Sequence, residues 1–310
     1  MPGHCRCGGS DLYTIDAIAP QQHARQSSLQ NPGEDAMIVD AQVHLWLANT
    51  PDRPWLPNRV AQLPEPFLIE QLVPMMDDAG VDRAVIVPPS WEGDRNDYAL
   101  EAVRRYPTRF AVMGRIPVND PNTAKLLPDW KKQPGMLGIR LTFHPRQWHW
   151  LTDGSVDWFW PLAEKYGLPV MFYGAPMANF ARVAERYPQL TMIADHLGVS
   201  TEMAKEGKTA EGVRETAALA KYPNVSVKLS TTPFYSSESY PFRDMTVHIR
   251  RLFDAFGPQR CYWGTDLTNS YRKANYRQRI AHFTETLDFL SNEDKEWVMG
   301  RAILERLGWK

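Results

Sequence analysis

The feature that most constrains this chain is the regular alternation, after residue 36, of short apolar runs with longer amphipathic segments. Such alternation predicts parallel β-strands joined by crossover helices, because two parallel strands cannot be joined by a tight turn. Eight is the number of strands that closes a barrel. Eight candidate strands can be counted: Met37–His44, Asp82–Pro88, Phe110–Val118, Leu137–Phe143, Pro169–Tyr173, Leu190–His196, Asn224–Leu229 and Arg260–Asp266.

The segments between these strands have the periodicity and length of helices. They include Phe67–Ala79, Asp97–Tyr106, Val156–Tyr166, Ala178–Tyr187, Gly212–Lys221 and Asp244–Phe256. Several are followed by proline, as at Pro107 and Pro188, which ends a helix before the next strand. We therefore predict an α/β protein, a (β/α)8 TIM barrel over residues 37–310. The alternative, an open doubly wound sheet, is disfavoured by the strand count.

The first 36 residues are polar, rich in Gln, Ser, Gly and Pro, and show no periodicity, which predicts a disordered N-terminal tail. His4, Cys5 and Cys7 would supply half of a metal site, but no second Cys/His pair follows at finger-like spacing. Cys261 lies in a strand-like run, so there is no disulfide framework. We expect a cytoplasmic protein.

The charge balance disfavours nucleic acid and membrane partners. The chain has 35 basic and 36 acidic residues, for a formal net charge of −1, and no long block of one sign. No apolar run approaches the roughly 18 residues that span a bilayer. A small-molecule partner is predicted, and an oligomer is possible.

Polar residues stand where several predicted strands end, the place where barrels gather reactive groups. On the first strand, a period of two puts Asp40, Gln42 and His44 on one face, predicted to point to the barrel axis. His196 closes the sixth strand and Asp266 the eighth. Taken alone, each of these polar residues could be a buried core residue or a helix cap. Their joint position at three strand ends predicts a catalytic site.

Cationic side chains lie on two further strands. Arg140 stands among apolar neighbours on the fourth strand, Arg146 follows in the next loop, and Lys228 is an inward candidate on the seventh strand. A buried guanidinium needs an anion, which is either a substrate carboxylate or an inward side chain such as Asp40. We predict a carboxylate substrate.

These strand-end residues resemble the amidohydrolase superfamily, and within it the branch of 2-pyrone-4,6-dicarboxylate lactonase and related lactonases. The likeness extends from about Met37 to the C-terminus. Three motifs carry it: Asp40-Ala41-Gln42-Val43-His44 at the place of Asp-x-His-x-His, Asp195-His196-Leu197-Gly198 after strand six, and Gly264-Thr265-Asp266 at the end of strand eight.

The resemblance implies substrate-binding arginines, matched by Arg140 and Arg146, a strand-five tyrosine, matched by Tyr173, and a serine after strand two, matched by Ser90. Ser90 and the adjoining Trp91 are also the loop pair predicted to lie nearest the site.

In metal-dependent members, the strand-one histidines, a strand-five residue and the last aspartate bind one or two divalent ions. Here Gln42 replaces the first histidine, and strand five has no histidine. An amide oxygen is a poor zinc ligand beside imidazole. We therefore predict an enzyme without a metal cofactor. The alternative is one divalent ion such as Zn²⁺ on His44, His196 and Asp266.

The predicted activity is hydrolysis of a carboxylated lactone or similar cyclic ester. Asp266 would activate water while His44 and His196, with Tyr173, polarise the carbonyl. The substrate would be held by the remaining polar groups, Gln42, Ser90, Arg140, Arg146 and Lys228. Two alternatives stay open at this point, a non-oxidative decarboxylase of the same superfamily and a non-catalytic small-molecule-binding barrel.

Overall fold

A computed structural model of the protein describes residues 36–174 and 176–310. Sequence neighbours among its strands are also neighbours in one parallel sheet, in the order β1 to β8. The strands are β1 Val39–Val43, β2 Arg83–Ile86, β3 Phe110–Gly114, β4 Met136–Thr142, β5 Val170–Tyr173, β6 Met192–Ala194, β7 Val225–Ser230 and β8 Cys261–Gly264. All eight predicted strands are confirmed, and the fold is a (β/α)8 TIM barrel.

The barrel comes close to full closure between its last and first strands. The backbone N–H of Asp266, just after β8, donates to the carbonyl of Gln42 in β1 at 2.9 Å. Gly264 allows this approach, because a Cβ at that position would lie 3.1 Å from the backbone nitrogen of Gln42. The C-terminal end of β8 is thereby held against β1.

The six predicted helices are present, with ends that differ by a few residues. Further helices follow β6, β7 and β8. The α-helices are α1 Ile69–Ala79, α2 Asp97–Arg105, α3 Phe159–Lys165, α4 Met177–Arg186, α5 Thr201–Lys205, α6 Thr209–Ala217, α7 Thr232–Tyr235, α8 Thr246–Phe256, α9 Tyr276–Ala281, α10 Asn292–Glu296 and α11 Ala302–Leu307. Shorter 3-10 turns include Ser90–Glu92, Pro121–Lys132, Pro145–Leu151, His196–Gly198 and Leu267–Ser270.

The hydrophobic core has two parts, as the alternation of each strand requires. Outward-facing strand residues such as Ile86 and Leu141 pack beneath the helices. Inward-facing residues such as Met113 and Ile193 fill the barrel, together with Ile303 of α11. The inside is thus packed, and room for a ligand remains at the C-terminal ends of the strands.

One prediction about β1 was wrong. Asp40, Gln42 and His44 do not share a face, because the register between β1 and β2 shifts between Asp40 and Val43. The Asp40 carboxylate instead accepts hydrogen bonds from Tyr276 Oη of α9 at 2.6 Å and from the backbone N–H of Thr265 at 2.8 Å. Asp40 therefore braces the end of β8 and leaves the site to Gln42 and His44.

The predicted tail, residues 1–36, and its Cys5 and Cys7 lie almost wholly outside the described residues, so its disorder stays a prediction. Across residues 36–174 and 176–310, no helix has the length and apolar character needed to cross a membrane.

Candidate active site

A cavity of about 90 Å³ opens at the C-terminal ends of the strands. Of the predicted site residues, Gln42 and Lys228 lie beneath it and Arg146 lies outside it. Its lining consists of His44, Gln62, Ser90, Trp91, Arg140, Thr142, His144, Tyr173, His196, Thr201, Tyr235, Asp266 and Asn269.

The Asp266 carboxylate contacts three side chains in and around the cavity. Its Oδ1 accepts from Gln62 Nε2 at 3.2 Å and lies 3.2 Å from His44 Nε2, and its Oδ2 accepts from Thr231 Oγ1 at 3.0 Å. Burial alone would raise the pKa of this carboxyl, but nearby His196 and His44 and the Gln62 hydrogen bond hold it well below its usual value. Asp266 is therefore a carboxylate at neutral pH.

His44 is fixed from two sides. Its Nδ1 lies 2.6 Å from the carbonyl oxygen of Val87, and since a carbonyl only accepts, Nδ1 carries a hydrogen. Its Nε2 faces Asp266 and also lies 3.4 Å from Gln42 Nε2. The edge of the Trp91 ring packs against the His44 ring, with centroids 6.0 Å apart.

His196 begins a turn with left-handed backbone, with φ of 55° at His196, 59° at Leu197 and 70° at Gly198. Such angles are costly for residues other than glycine and are typical of functional sites. Hydroxyl groups of Ser230 and Thr231 lie 2.8 and 2.6 Å from its Nδ1. Burial lowers the pKa of His196 to about 4, although nearby Asp266 acts in the opposite direction. The ring is therefore neutral at pH 7.

Arg140 forms a buried ion pair with Asp195. Such an ion pair was the alternative to a role in substrate binding, although Asp40 was the partner suggested from the sequence. Its Nε donates to Asp195 Oδ2 at 3.1 Å, and Nη1 donates to Thr142. Asp195 Oδ1 lies 3.0 Å from Lys228 Nζ. Arg140 lines the cavity, and within the described residues its Nη2 makes no hydrogen bond.

Tyr173 packs against two other residues of the cavity, Arg140 and His196. The Arg140 guanidinium lies 5.4 Å from the centre of its ring, and the His196 ring meets it edge-on at 5.1 Å. Its hydroxyl lies 2.8 Å from both the Oγ1 and the backbone nitrogen of Thr201. Burial raises the pKa of Tyr173 to about 12, so the phenol keeps its proton.

The two loop residues predicted from the resemblance have different positions. Ser90 lines the cavity at the start of the turn after β2. Arg146 is exposed in the turn Pro145–Leu151 and does not line the cavity.

Sequence reasoning missed several lining residues. Thr142 and His144 follow Arg140 at intervals of two, and that period could have identified them. Gln62 lies in the loop after β1, and its contact with Asp266 spans 204 positions. Its carbonyl oxygen accepts from Thr268. A contact between two loops so far apart in the sequence leaves no local pattern.

A second cavity of about 550 Å³ borders the first at Gln62 and Asn269.

The donor groups fit a tightly bound metal ion poorly. Within the described residues, no three His, Cys, Asp or Glu side chains form a cluster that could hold one. The amide oxygen of Gln42, which stands where a strand-one histidine would, faces the ammonium of Lys228 at 2.5 Å. A second cation beside this ammonium would be repelled.

Comparison with known proteins decides the family. A family model described as amidohydrolase matches residues 39–305. The chain belongs to the amidohydrolase family. It is a hydrolase, as the strand-end motifs predicted.

Two curated relatives of this amidohydrolase are lactone hydrolases. L-fucono-1,5-lactonase of Burkholderia ambifaria is 25% identical over 238 residues, which cover 74% of this chain and 79% of the relative. The 4-sulfomuconolactone hydrolase of Hydrogenophaga intermedia is 28% identical over 214 residues, which cover 65% of each chain.

Crystal structures at lower identity share the fold. An amidohydrolase of Burkholderia multivorans with bound zinc has a TM-score of 0.74 at 18% identity, covering 88% of this chain and 99% of that one. A probable 2-pyrone-4,6-dicarboxylic acid hydrolase of Acinetobacter baumannii with bound citric acid has a TM-score of 0.70, with the same identity and coverage. A 5-carboxyvanillate decarboxylase of Novosphingobium aromaticivorans with manganese has a TM-score of 0.65 at 15% identity, covering 91% and 100%.

Proposed function

We propose that this amidohydrolase opens a lactone that carries a carboxylate. The observation that carries the proposal is the placement of an ionised, fully buried Asp266 in one small cavity with the guanidinium of Arg140. A general base and an anion-binding group in one cavity are what hydrolysis of an anionic ester requires. The lactonase relatives support the reaction type.

In the proposed reaction, a water molecule attacks the lactone carbonyl and gives up a proton to Asp266. We assign His44 to the side of the attacking water, since its Nδ1 hydrogen is bound to Val87 and its Nε2 lies 3.2 Å from Asp266 Oδ1. His44 thus belongs to the water side, where it orients the Asp266 carboxylate. Opening of the ring breaks the bond between the acyl carbon and the ring oxygen, which takes that proton.

The carbonyl side is assigned to Tyr173, against whose ring the His196 ring packs edge-on. Neutral His196 carries its single N–H on Nδ1, because Thr231 Oγ1, 2.6 Å away, gives its own hydrogen to Asp266. The Tyr173 phenol, which keeps its proton, is therefore the group assigned to polarise the carbonyl. The substrate carboxylate binds Nη2 of Arg140. No step of this reaction uses a metal ion.

A cavity of about 90 Å³ is small for a ring with its substituents, whereas the neighbouring cavity of about 550 Å³ has ample room. Gln62 stands between the two and contacts Asp266. We propose that the substrate displaces the Gln62 side chain and extends into the larger cavity.

The test is acid release in a pH-stat from paired lactones that differ only in a carboxylate. We expect kcat/KM to be roughly a hundredfold higher for the carboxylated member of each pair. Arg140→Met should lower kcat/KM for that member about thirtyfold, equivalent to about 2 kcal/mol, and leave the neutral lactone unchanged. Arg146→Met, at an exposed arginine, is the matched control.

Equal rates on both members of every pair would contradict the carboxylate assignment. Release of carbon dioxide from aromatic carboxylates without lactone hydrolysis would identify a decarboxylase, and tight binding without turnover would identify a binding protein. Unfolding of Arg140→Met would show that its ion pair with Asp195 is mainly structural.

A further inference from the structure

The larger cavity, of about 550 Å³, lies beside the catalytic cavity, and its walls come from the loops that follow β1, β7 and β8. Its lining consists of Gln62, Leu63, Pro64, Phe234 of α7, and residues 268–273. In TIM barrels the loops at this end of the strands contact the substrate, and they vary between enzymes of different specificity. The chemistry of these walls therefore indicates what the substrate carries beyond its reacting ring.

Two aromatic rings in these walls lie outside both parts of the hydrophobic core. Phe234 is half-buried, and its ring meets that of Tyr235, a residue of the catalytic cavity, edge-on at 5.5 Å. Tyr271 is 38% exposed, with its ring edge-on to Phe67 at 5.9 Å. Leu63 adds aliphatic surface to the same cavity. Apolar surface left exposed in a concave site is typical of a ligand-binding pocket.

Two polar side chains of the same walls are already engaged within the protein. Ser270 Oγ accepts a hydrogen bond from Arg279 Nη2 at 3.1 Å, and Lys273 Nζ donates to the carbonyl of Ser236. Arg272 is exposed, so water can solvate its guanidinium. The surface that remains for a ligand inside the cavity is mainly that of the two aromatic rings and the aliphatic wall.

Gln62 separates the two cavities and closes the catalytic one to a substituent. Its Nε2 donates to Asp266 Oδ1 at 3.2 Å, and its amide oxygen accepts from Thr268. The catalytic cavity of about 90 Å³ is smaller than the roughly 150 Å³ of an apolar cavity that binds benzene, whereas the neighbouring cavity is several times larger than that. An aromatic substituent of a lactone held at Asp266 therefore fits in the neighbouring cavity once the Gln62 side chain has moved aside.

We infer that the substrate of this amidohydrolase carries an aryl substituent, which binds in the larger cavity against Phe234 and Tyr271. Aromatic rings are favoured over alkyl chains at such walls, because edge-to-face and offset pairs of rings gain more than their buried area alone. In this arrangement the lactone ring and the carboxylate lie in the catalytic cavity, and this part of the inference rests on the proposed function. The aryl subsite itself does not depend on the reaction.

A binding experiment without turnover tests the aryl subsite directly. Ligand-detected NMR titration of the full chain compares 4-phenylbutyrate with butyrate, which share the carboxylate and differ in the phenyl group. We expect the phenyl group to lower Kd about tenfold or more in the wild type, since it leaves water. Phe234→Ala should reduce this gain to less than about threefold. Phe253→Ala, at a half-buried ring of α8 that lines neither cavity, should keep it.

Gln62→Ala should have the opposite effect to Phe234→Ala. Removal of the amide should lower the Kd of 4-phenylbutyrate about threefold or more, because no bond to Asp266 or Thr268 then has to be broken. A higher Kd for 4-phenylbutyrate in Gln62→Ala would show that the Gln62 side chain belongs to the binding surface, and it would overturn the displacement of this side chain.

The kinetic experiment uses carboxylated lactones that differ only in a phenyl, methyl or trihydroxypropyl substituent. We expect kcat/KM for the phenyl member to exceed that for the methyl member about tenfold or more in the wild type, and by less than about threefold in Phe234→Ala. Tyr271→Ala, at an exposed position, is a second variant in case Phe234→Ala fails to fold. It should lower the phenyl preference about threefold.

Equal rates on the three lactones, or a preference for the trihydroxypropyl member, would overturn the inference. A phenyl preference that both Phe234→Ala and Tyr271→Ala retain would overturn it as well. Failure of the proposed function gives a different pattern, in which no lactone is hydrolysed but 4-phenylbutyrate keeps its Phe234-dependent gain. Hydrolysis without a phenyl preference gives the reverse, in which the proposed function stands and the aryl subsite fails.

Discussion

At the scale of single residues, Asp266 has a backbone geometry that makes its replacement easy to interpret. Its φ is 45°, in the left-handed region that aspartate and asparagine tolerate best after glycine. Asp266→Asn should therefore fold. Because an amide cannot take a proton from water, kcat should fall about a hundredfold or more, as measured in the pH-stat assay.

The control for this variant is Asp129→Asn, at an exposed aspartate paired with Lys132, which should behave as wild type. Equal melting temperatures of the two variants would show that the loss is chemical. Wild-type turnover in Asp266→Asn would remove this residue from the mechanism.

The strand-end residues could be predicted because each stands directly after an apolar run. His196 and Asp266 are examples, and both line the cavity. The partners that fix them could not be predicted in the same way. Thr231 bridges His196 and Asp266 only because its backbone turns left-handed, with φ of 67°, after β7. Nothing in a Ser-Thr-Thr sequence indicates that turn.

At the scale of elements, strand and helix periodicity predicted the barrel well, because eight buried strands must alternate with covering helices. The bulge in β1 was beyond that reasoning, since a strict period of two cannot show an extra residue. Asp40 therefore looked like a site residue, although it braces β8.

The contact between Gln42 on β1 and the Lys228 ammonium on β7 leads to a prediction about metal binding. The purified protein should carry well under one equivalent of zinc, and a chelator should leave activity intact. Gln42→His should raise zinc occupancy, since it adds an imidazole close to His44. The ammonium of Lys228, which lies 2.5 Å from the Gln42 side chain, should oppose the ion, so Gln42→His with Lys228→Met should bind zinc more tightly than Gln42→His alone.

Elemental analysis and equilibrium dialysis measure both effects. Gln42→His/Ser226→Ala, at another fully buried residue of β7, is the matched double variant. Stoichiometric zinc in the wild type, with activity lost on chelation and recovered when the metal is returned, would show a metal-assisted mechanism. That result would favour the alternative site on His44, His196 and Asp266.

At the scale of the whole molecule, the buried site makes the fold sensitive to acid. Burial lowers the pKa of His196 from 6.5 to about 4 in the folded protein, whereas the unfolded chain regains the ordinary value. Between these two values the unfolded state binds a proton that the folded state does not, so the free energy of unfolding falls as pH is lowered through this range. Between pH 7 and pH 5, His196 alone should account for a loss of about 2 kcal/mol.

Urea unfolding at both pH values measures this loss, and His196→Asn isolates it, since asparagine accepts the left-handed backbone at this position. The variant should lose about 2 kcal/mol less than the wild type between pH 7 and pH 5, because carboxyl titration elsewhere is common to both proteins. His149→Asn, at an exposed histidine, should keep the wild-type dependence. If His196→Asn keeps it too, His196 is not held neutral by burial, and the single Nδ1 hydrogen that bonds Thr231 loses its support.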